Sequence, residues 1–175
     1  VWMNGEHVGD WTFSAVRGHA FAYAPSWLES PQGRPLSLSL PMAQGTTPFM
    51  GTRVEAYFDN LLPDSLPIRR RVAAKFGSGS IAAFPLLEKI GRDCVGAVQL
   101  QPADAPPPNV RRIDSTPLSE ADIARILDNT VAGRNAESDA DALRISIAGA
   151  QEKTALLWHQ GQWQRPHGAT PTTHI

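Results

Sequence analysis

The sequence predicts an α+β chain: a small antiparallel sheet with helices, followed by a hairpin built around a glycine. Three observations lead there. Residues 1–40 repeat apolar positions with a period of two, the spacing of strands. Near Thr52 the apolar spacing changes to three and four, the mark of a helix face. Period two then returns in LRISIAGAQEKTALLWH, residues 143–159, where Leu143, Ile145 and Ile147 alternate with Arg144, Ser146 and Ala148.

Composition bounds the rest. At 175 residues and 19.0 kDa, with 42% apolar and 19% charged residues, the chain can bury a core as one domain or two small ones. Fourteen glycines and 15 prolines call for many turns. A formal net charge of -1 supplies no global field for nucleic acid or an anionic membrane, and leaves a local basic patch open. Cys94 is the one cysteine, which excludes an intrachain disulfide and a cysteine-based metal site and fits a reducing compartment. With no long apolar run and no basic-then-apolar order in VWMNGEHVGDW, a cytoplasmic protein without a membrane segment is expected, its native start trimmed to Val1.

In chain order, residues 1–29 read as strands, with Asn4-Gly5 as a hairpin turn and Phe21 and Tyr23 alternating with small residues. Leu36, Leu38 and Leu40, spaced by serines and bounded by Pro35 and Pro41, read as a strand that closes a small sheet. Residues 43–51 read as loop. Thr52 with Glu55 forms a capping box for a helix with Val54, Tyr57, Phe58, Leu61 and Leu62 on its apolar side, ending before Pro63. Asp64 or Ser65 caps the next helix, with Ile68, Val72 and Phe76 inward and Gly77 at its end. Residues 80–90 give a third helix burying Leu86, Leu87 and Ile90, closed by Gly91, and CVGAVQLQP a strand.

The proline-rich stretch 102–118 is the best boundary, separating portions 1–101 and 119–175. Ser119 and Asp122 open a helix to Val131 that buries Ile123, Ile126 and Leu127. The polar stretch 132–142 leads to the 143–159 hairpin. Gly161-Gln162 reads as a tight turn, and WQRPHGATPTTHI as a segment that stops at the start of another extended element, so the chain is expected to end mid-fold.

Most candidate chemistry has a plain structural reading. Arg69, Arg70 and Arg71 could meet a phosphate or a protein, but three arginines in a row point in different directions, and solvated helix surface is the simpler account. Cys94 reads as a small buried side chain. His7, His19, His159, His167 and His174 are scattered away from metal-ligand spacing, so no metal is expected. Asp59 with Asp64, or Asp139 with Asp141, could pair for acid–base work, and solvated acidic loops explain them as well. No G-x-S-x-G or P-loop frame occurs, and neither H-R-D nor D-F-G is present. The loop AGAQEK could offer backbone N–H groups and one lysine to anionic oxygens, or Gly149 could serve only to turn the chain.

Four stretches add a resemblance. RPLSLSLP at Arg34–Pro41, FDNLLPDS at Phe58–Ser65, IGRDCVGAV at Ile90–Val98, and ISIAGAQEKTALL at Ile145–Leu157 followed by TPTTHI resemble the amino-terminal region of the HipA toxins, the serine/threonine kinases of bacterial toxin–antitoxin modules. The resemblance implies a front α+β module over 1–101 and, over 119–175, the first part of a kinase-like small lobe with its glycine-rich hairpin. It places the loop over ATP phosphates at Ala148, Gly149, Ala150, Gln151, Glu152 and Lys153. It makes Ser146 the serine whose autophosphorylation expels that loop, as the added charge beside bound phosphates would. It implies ATP and Mg2+ as cofactors of the longer protein, none held tightly by this stretch, and no catalytic residue within these 175. The partners it implies are a HipB-like DNA-binding antitoxin, DNA only through that antitoxin, and a protein substrate of the glutamyl-tRNA synthetase type. A stand-alone binding or antitoxin-like module related to the front portion is the alternative.

Overall fold

The computed structural model describes residues 1–131 and 153–175. Asn4 and Gly5 take positive φ, 51° and 85°, as a type I′ turn requires. They fold Trp2–Met3 (β1) onto Glu6–His7 (β2), with Trp2 opposite His7. Val8 is the corner after this hairpin and is fully buried. Its N–H donates to Val1 C=O at 2.9 Å, and its C=O accepts from Ala24 N–H at 2.9 Å. Gly9–Ser14 (β3) and Gly18–Tyr23 (β4) then pair antiparallel from Gly9↔Tyr23 to Ser14↔Gly18. The strand reading holds to Tyr23 and fails after it, because Pro25–Glu29 forms a short helix (α1). Pro25 presets the first helical φ, and the turn seats Trp27 at 1% exposure with its Nε1–H on Arg34 C=O at 3.0 Å.

The expected strand through Leu36, Leu38 and Leu40 is a tight turn, in which Leu40 N–H donates to Ser37 C=O at 3.0 Å. Leu38 is 97% exposed while Leu40 is fully buried. Tyr23 decides this: its hydroxyl accepts from Leu36 N–H at 2.8 Å and donates to Leu40 C=O at 2.5 Å, so both ends of the turn are tied to β4. The third strand is instead Phe49–Met50 (β5), from the stretch read as loop, and it pairs with β4.

Helix Thr52–Asp59 (α2) has the expected inward face, with Val54, Phe58 and the following Leu62 buried. Its cap is not the expected box. Gly51 occupies the N-cap position, no side chain caps the helix, and Glu55 lies 3.6 Å from His19 Nε2. Leu66–Lys75 (α3) follows Ser65 with Pro67 in its first turn and ends ahead of Gly77 at φ 64°. Ala83–Ile90 (α4) buries Leu86, Leu87 and Ile90 as expected, and the strand predicted after it shrinks to Val98–Gln99 (β6) beside β1.

Two three-stranded sheets result, β2-β1-β6 and β3-β4-β5. α2 lies against β4, β5 and α4, and one apolar cluster running from Val1 to Leu100 fills the space between them. Within it Trp11 stacks on Phe58 with centroids 3.9 Å apart and meets Phe84 edge-on at 4.7 Å.

Within the stretch read as a linker, Ser115–Pro117 is a strand (β7). Glu120–Val131 (α5) follows and opens as predicted: Ser119 Oγ accepts from Asp122 N–H at 3.2 Å, and Asp122 Oδ2 accepts from Ser119 N–H at 3.0 Å. Ile126 is buried, but Leu127 is 48% exposed, contrary to expectation. Leu157–His159 (β8) and Gln162–Pro166 (β9) form a hairpin, and the third sheet has the order β7-β9-β8. Its turn falls at Gln160-Gly161, φ 52° and 77°, one residue before the predicted position. The architecture is therefore α+β with small antiparallel sheets.

Candidate functional site

In sequence, the stretch expected to hold phosphates is followed by the strand Leu157–His159. Ser146, Ala148, Gly149, Ala150, Gln151 and Glu152 lie outside the described residues, as do Asp139 and Asp141. Lys153 is described and is half-buried. Immediately after it, Ala155, Leu156 and Leu157 are all buried. Three buried apolar side chains in a row anchor this limb where it enters the strand at Leu157.

The limb is held on its other edge too. Leu156 N–H donates to His174 C=O at 2.9 Å, His174 N–H to Leu156 C=O at 3.1 Å, and Trp158 N–H to Thr173 Oγ1 at 2.7 Å. The TPTTHI stretch thus runs beside the limb as an added rung. On the far side, Thr170 is 4% exposed and clasps Asp114, donating to its C=O at 2.9 Å and accepting from its N–H at 3.0 Å. His167 N–H reaches the same carbonyl at 2.8 Å. Gln164, 6% exposed, accepts from the Ser115 hydroxyl and donates to His159 C=O at 3.1 Å. Every one of these buried polar groups has a partner, which keeps the sheet stiff.

The sequence pattern pointed to none of Asp114, Thr170 and Gln164. The only signal available was a glutamine inside an alternating strand, WQRP, where a buried polar side chain needs a partner that the linear sequence cannot name.

In the front portion, the stretches that carried the resemblance are closures of the fold. Arg69 is buried at 9% exposure instead of solvated. It donates to Asp59 at 2.6 and 3.0 Å and to Pro63 C=O at 2.6 Å, so it fastens the FDNLLPDS loop. Asp59 is thereby committed to Arg69, while Asp64 stays exposed, and the two do not form an acid–base pair. Arg70 and Arg71 are exposed. Gly91 sits against Leu100, whose N–H donates to its C=O at 2.7 Å, and a Cβ there would lie 2.6 Å from Leu100 Cβ. Cys94 is buried and donates to the same carbonyl; burial, then Asp93, push its thiol up to about 12, so it is a packing residue and no nucleophile.

Among the described residues no group of three or more His, Cys, Asp or Glu side chains gathers to hold a metal, and no helix is long and apolar enough to cross a membrane. Residues 153–175 contain Lys153, Arg165 and three histidines and no Asp or Glu.

Residues 1–101 match the HipA N-terminal domain family. The chain is 36% identical to a protein named "Putative kinase Y4mE" from Sinorhizobium fredii, over 100% of this chain and 41% of that protein. It is 28% identical to the serine/threonine-protein kinase toxin HipA of Shewanella oneidensis, over 96% of this chain and 37% of the toxin. The chain thus spans about two fifths of the length of these relatives. Among solved structures, a chain of the Shewanella oneidensis toxin–antitoxin complex of HipA, HipB and operator DNA has the same fold, with a TM-score of 0.64 and 22% identity over 95% of this chain and 37% of that one.

Proposed function

The chain belongs to the HipA N-terminal domain family, and from that premise we propose that it is the amino-terminal part of a HipA-like toxin kinase. The observation that carries this reading is the 36% identity to a kinase relative along the whole chain, beyond the 101 residues of the family match and through the loop. The longer protein would transfer the γ-phosphoryl group of ATP to a protein serine, with a glutamyl-tRNA synthetase as the target type. A HipB-like antitoxin would be its partner, in keeping with the HipA, HipB and operator DNA complex whose HipA fold it shares, and DNA contact would run through that antitoxin.

In this reading residues 1–101 are the front module, 102–118 the linker and 119–175 the start of the kinase small lobe. Ala148–Lys153 cover the ATP phosphates. Lys153, next to Glu152 at the end of that loop, would supply its one cation. Among the described residues no group of three or more His, Cys, Asp or Glu side chains is placed to hold Mg2+. Phosphoryl transfer needs further cationic and metal-binding groups, which the family carries in parts that this chain does not span. The 175 residues alone are therefore expected to be inactive. Ser146 would be the regulatory serine, its phosphate repelled from bound ATP and driving the loop outward.

Phosphopeptide mapping of the longer protein after incubation with ATP tests the assignment: phosphate on Ser146 is expected, and phosphate found only elsewhere would remove its role. A second reading, a stand-alone binding or antitoxin-like module, is favoured by one observation, the closed apolar cluster within residues 1–100. Detection of phosphotransfer by the longer protein would decide against it.

A further inference from the structure

Residues 101–114 join the front portion to the β7-β9-β8 sheet, and their proline-rich composition reads as a linker. The structure ties this stretch down along its length. Where it begins, Leu100 N–H is held by Gly91 C=O at 2.7 Å, and Ala105 N–H closes a turn on Pro102 C=O at 3.1 Å. Pro106, Pro107 and Pro108 follow, and their rings preset φ and stiffen the chain. The stretch then crosses the Asn4-Gly5 hairpin turn: a Cβ on Gly5 would lie 3.6 Å from the Pro108 carbonyl oxygen and 3.6 and 3.8 Å from the Val110 methyls. Asn109 closes the next turn with two bonds, its Oδ1 accepting from Arg111 N–H at 3.1 Å and its C=O from Arg112 N–H at 3.2 Å. Where the stretch ends, Thr170 and His167 N–H grip the Asp114 backbone.

Two portions joined by a flexible linker reorient freely, because the dihedrals between them are unconstrained. Here the turns and the proline run remove that freedom. The points of attachment also belong to different portions: Gly5 lies in the β1-β2 hairpin, Thr170 and His167 in the segment after β9. We propose that residues 101–114 are a strap that fixes the orientation of the front portion relative to the β7-β9-β8 sheet, with Asn109 and Val110 seating it on the Asn4-Gly5 turn. A partner that docks on either portion then meets the other at a set angle. The inference goes beyond the kinase reading and holds with or without it, since it rests on the geometry of this stretch and its anchors alone.

The test is backbone amide relaxation of the full chain by NMR, which gives a rotational correlation time for residues 1–100 and another for the β7-β9-β8 sheet. One shared value is expected. The double variant Asn109→Gly, Val110→Ser alters only exposed side chains, and its amide shifts away from the strap report that it is folded. In it the two correlation times should separate, with residues 1–100 tumbling faster. Limited trypsin digestion read by mass spectrometry is the second measure: cleavage after the exposed Arg111 and Arg112 should be severalfold faster in the double variant than in the native chain. Val16→Ser, exposed between β3 and β4, should change neither readout. Separate correlation times in the native chain, a shared value kept by the folded double variant, or cleavage of that variant at the native rate would each overturn the proposal.

Discussion

Arg69 and Tyr23 each hold a loop from a buried position, and each supports a prediction at the scale of a single side chain. Arg69→Ala removes the donors to Pro63 C=O and to the Asp59 carboxylate. Because the Asp59 side chain is 41% exposed, water recovers part of the loss, and a cost of about 1–3 kcal/mol is expected in urea unfolding. Tyr23→Phe leaves Leu36 N–H and Leu40 C=O without their shared hydroxyl, and should cost about 1–3 kcal/mol with little change in secondary structure. Titration gives a third prediction. Burial pushes the Tyr57 hydroxyl from 10 up to about 12, and the Cys94 thiol from 9 to about 12. The unfolded chain releases these protons first, so both groups stabilise the fold fully below about pH 9. That contribution is lost as pH rises toward 12, and unfolding midpoints measured across pH 8–12 should fall steadily.

Elements add constraints that single residues do not. α4 ends where Gly91 meets Leu100, and Gly91→Ala would put a methyl 2.6 Å from Leu100 Cβ. A destabilisation of about 1–3 kcal/mol is expected, and an unchanged unfolding midpoint would show that the β6 connection moves freely. α5 opens on the Ser119–Asp122 box, and the Ser119 hydroxyl and N–H, followed by Arg125, hold the Asp122 carboxyl below its usual range. This helix start is therefore supported at neutral pH and loosens as acid protonates Asp122. Protection factors of the amides at residues 120–124, taken relative to the unstructured chain at each pH, should fall at low pH, and Ser119→Ala should remove much of that pH dependence. These two helices were legible because their signals are local. The box predicted at Thr52 was local as well, yet β5 and the turn at Gly51 occupy the cap position, and Glu55 faces His19 across α2 and β4.

At the scale of the molecule, the apolar cluster among the described residues runs from Val1 to Leu100, while Ser115–Pro117, Leu157–His159 and Gln162–Pro166 build a separate sheet. A fragment of residues 1–101 is expected to fold alone, with dispersed amide resonances and cooperative melting; a collapsed spectrum would show that it depends on the rest. The sequence by itself determined the α+β class, the hairpin at Asn4-Gly5, the inward faces of α2, α3 and α4, the Ser119 cap and the burial of Cys94. Each rests on periodicity or on the backbone preference of residues close in the chain. Only the tertiary structure decided that Leu38 points to solvent, that Arg69 is buried, and that Asp114 and Thr170 clasp each other. A run such as LSLSL suits a strand or a turn equally well, and the choice fell to Tyr23, whose hydroxyl lies 13 and 17 residues away in sequence. A buried polar group is stable only with its partner, and that partner, 56 residues distant for Asp114 and Thr170, is set by packing and not by neighbouring residues.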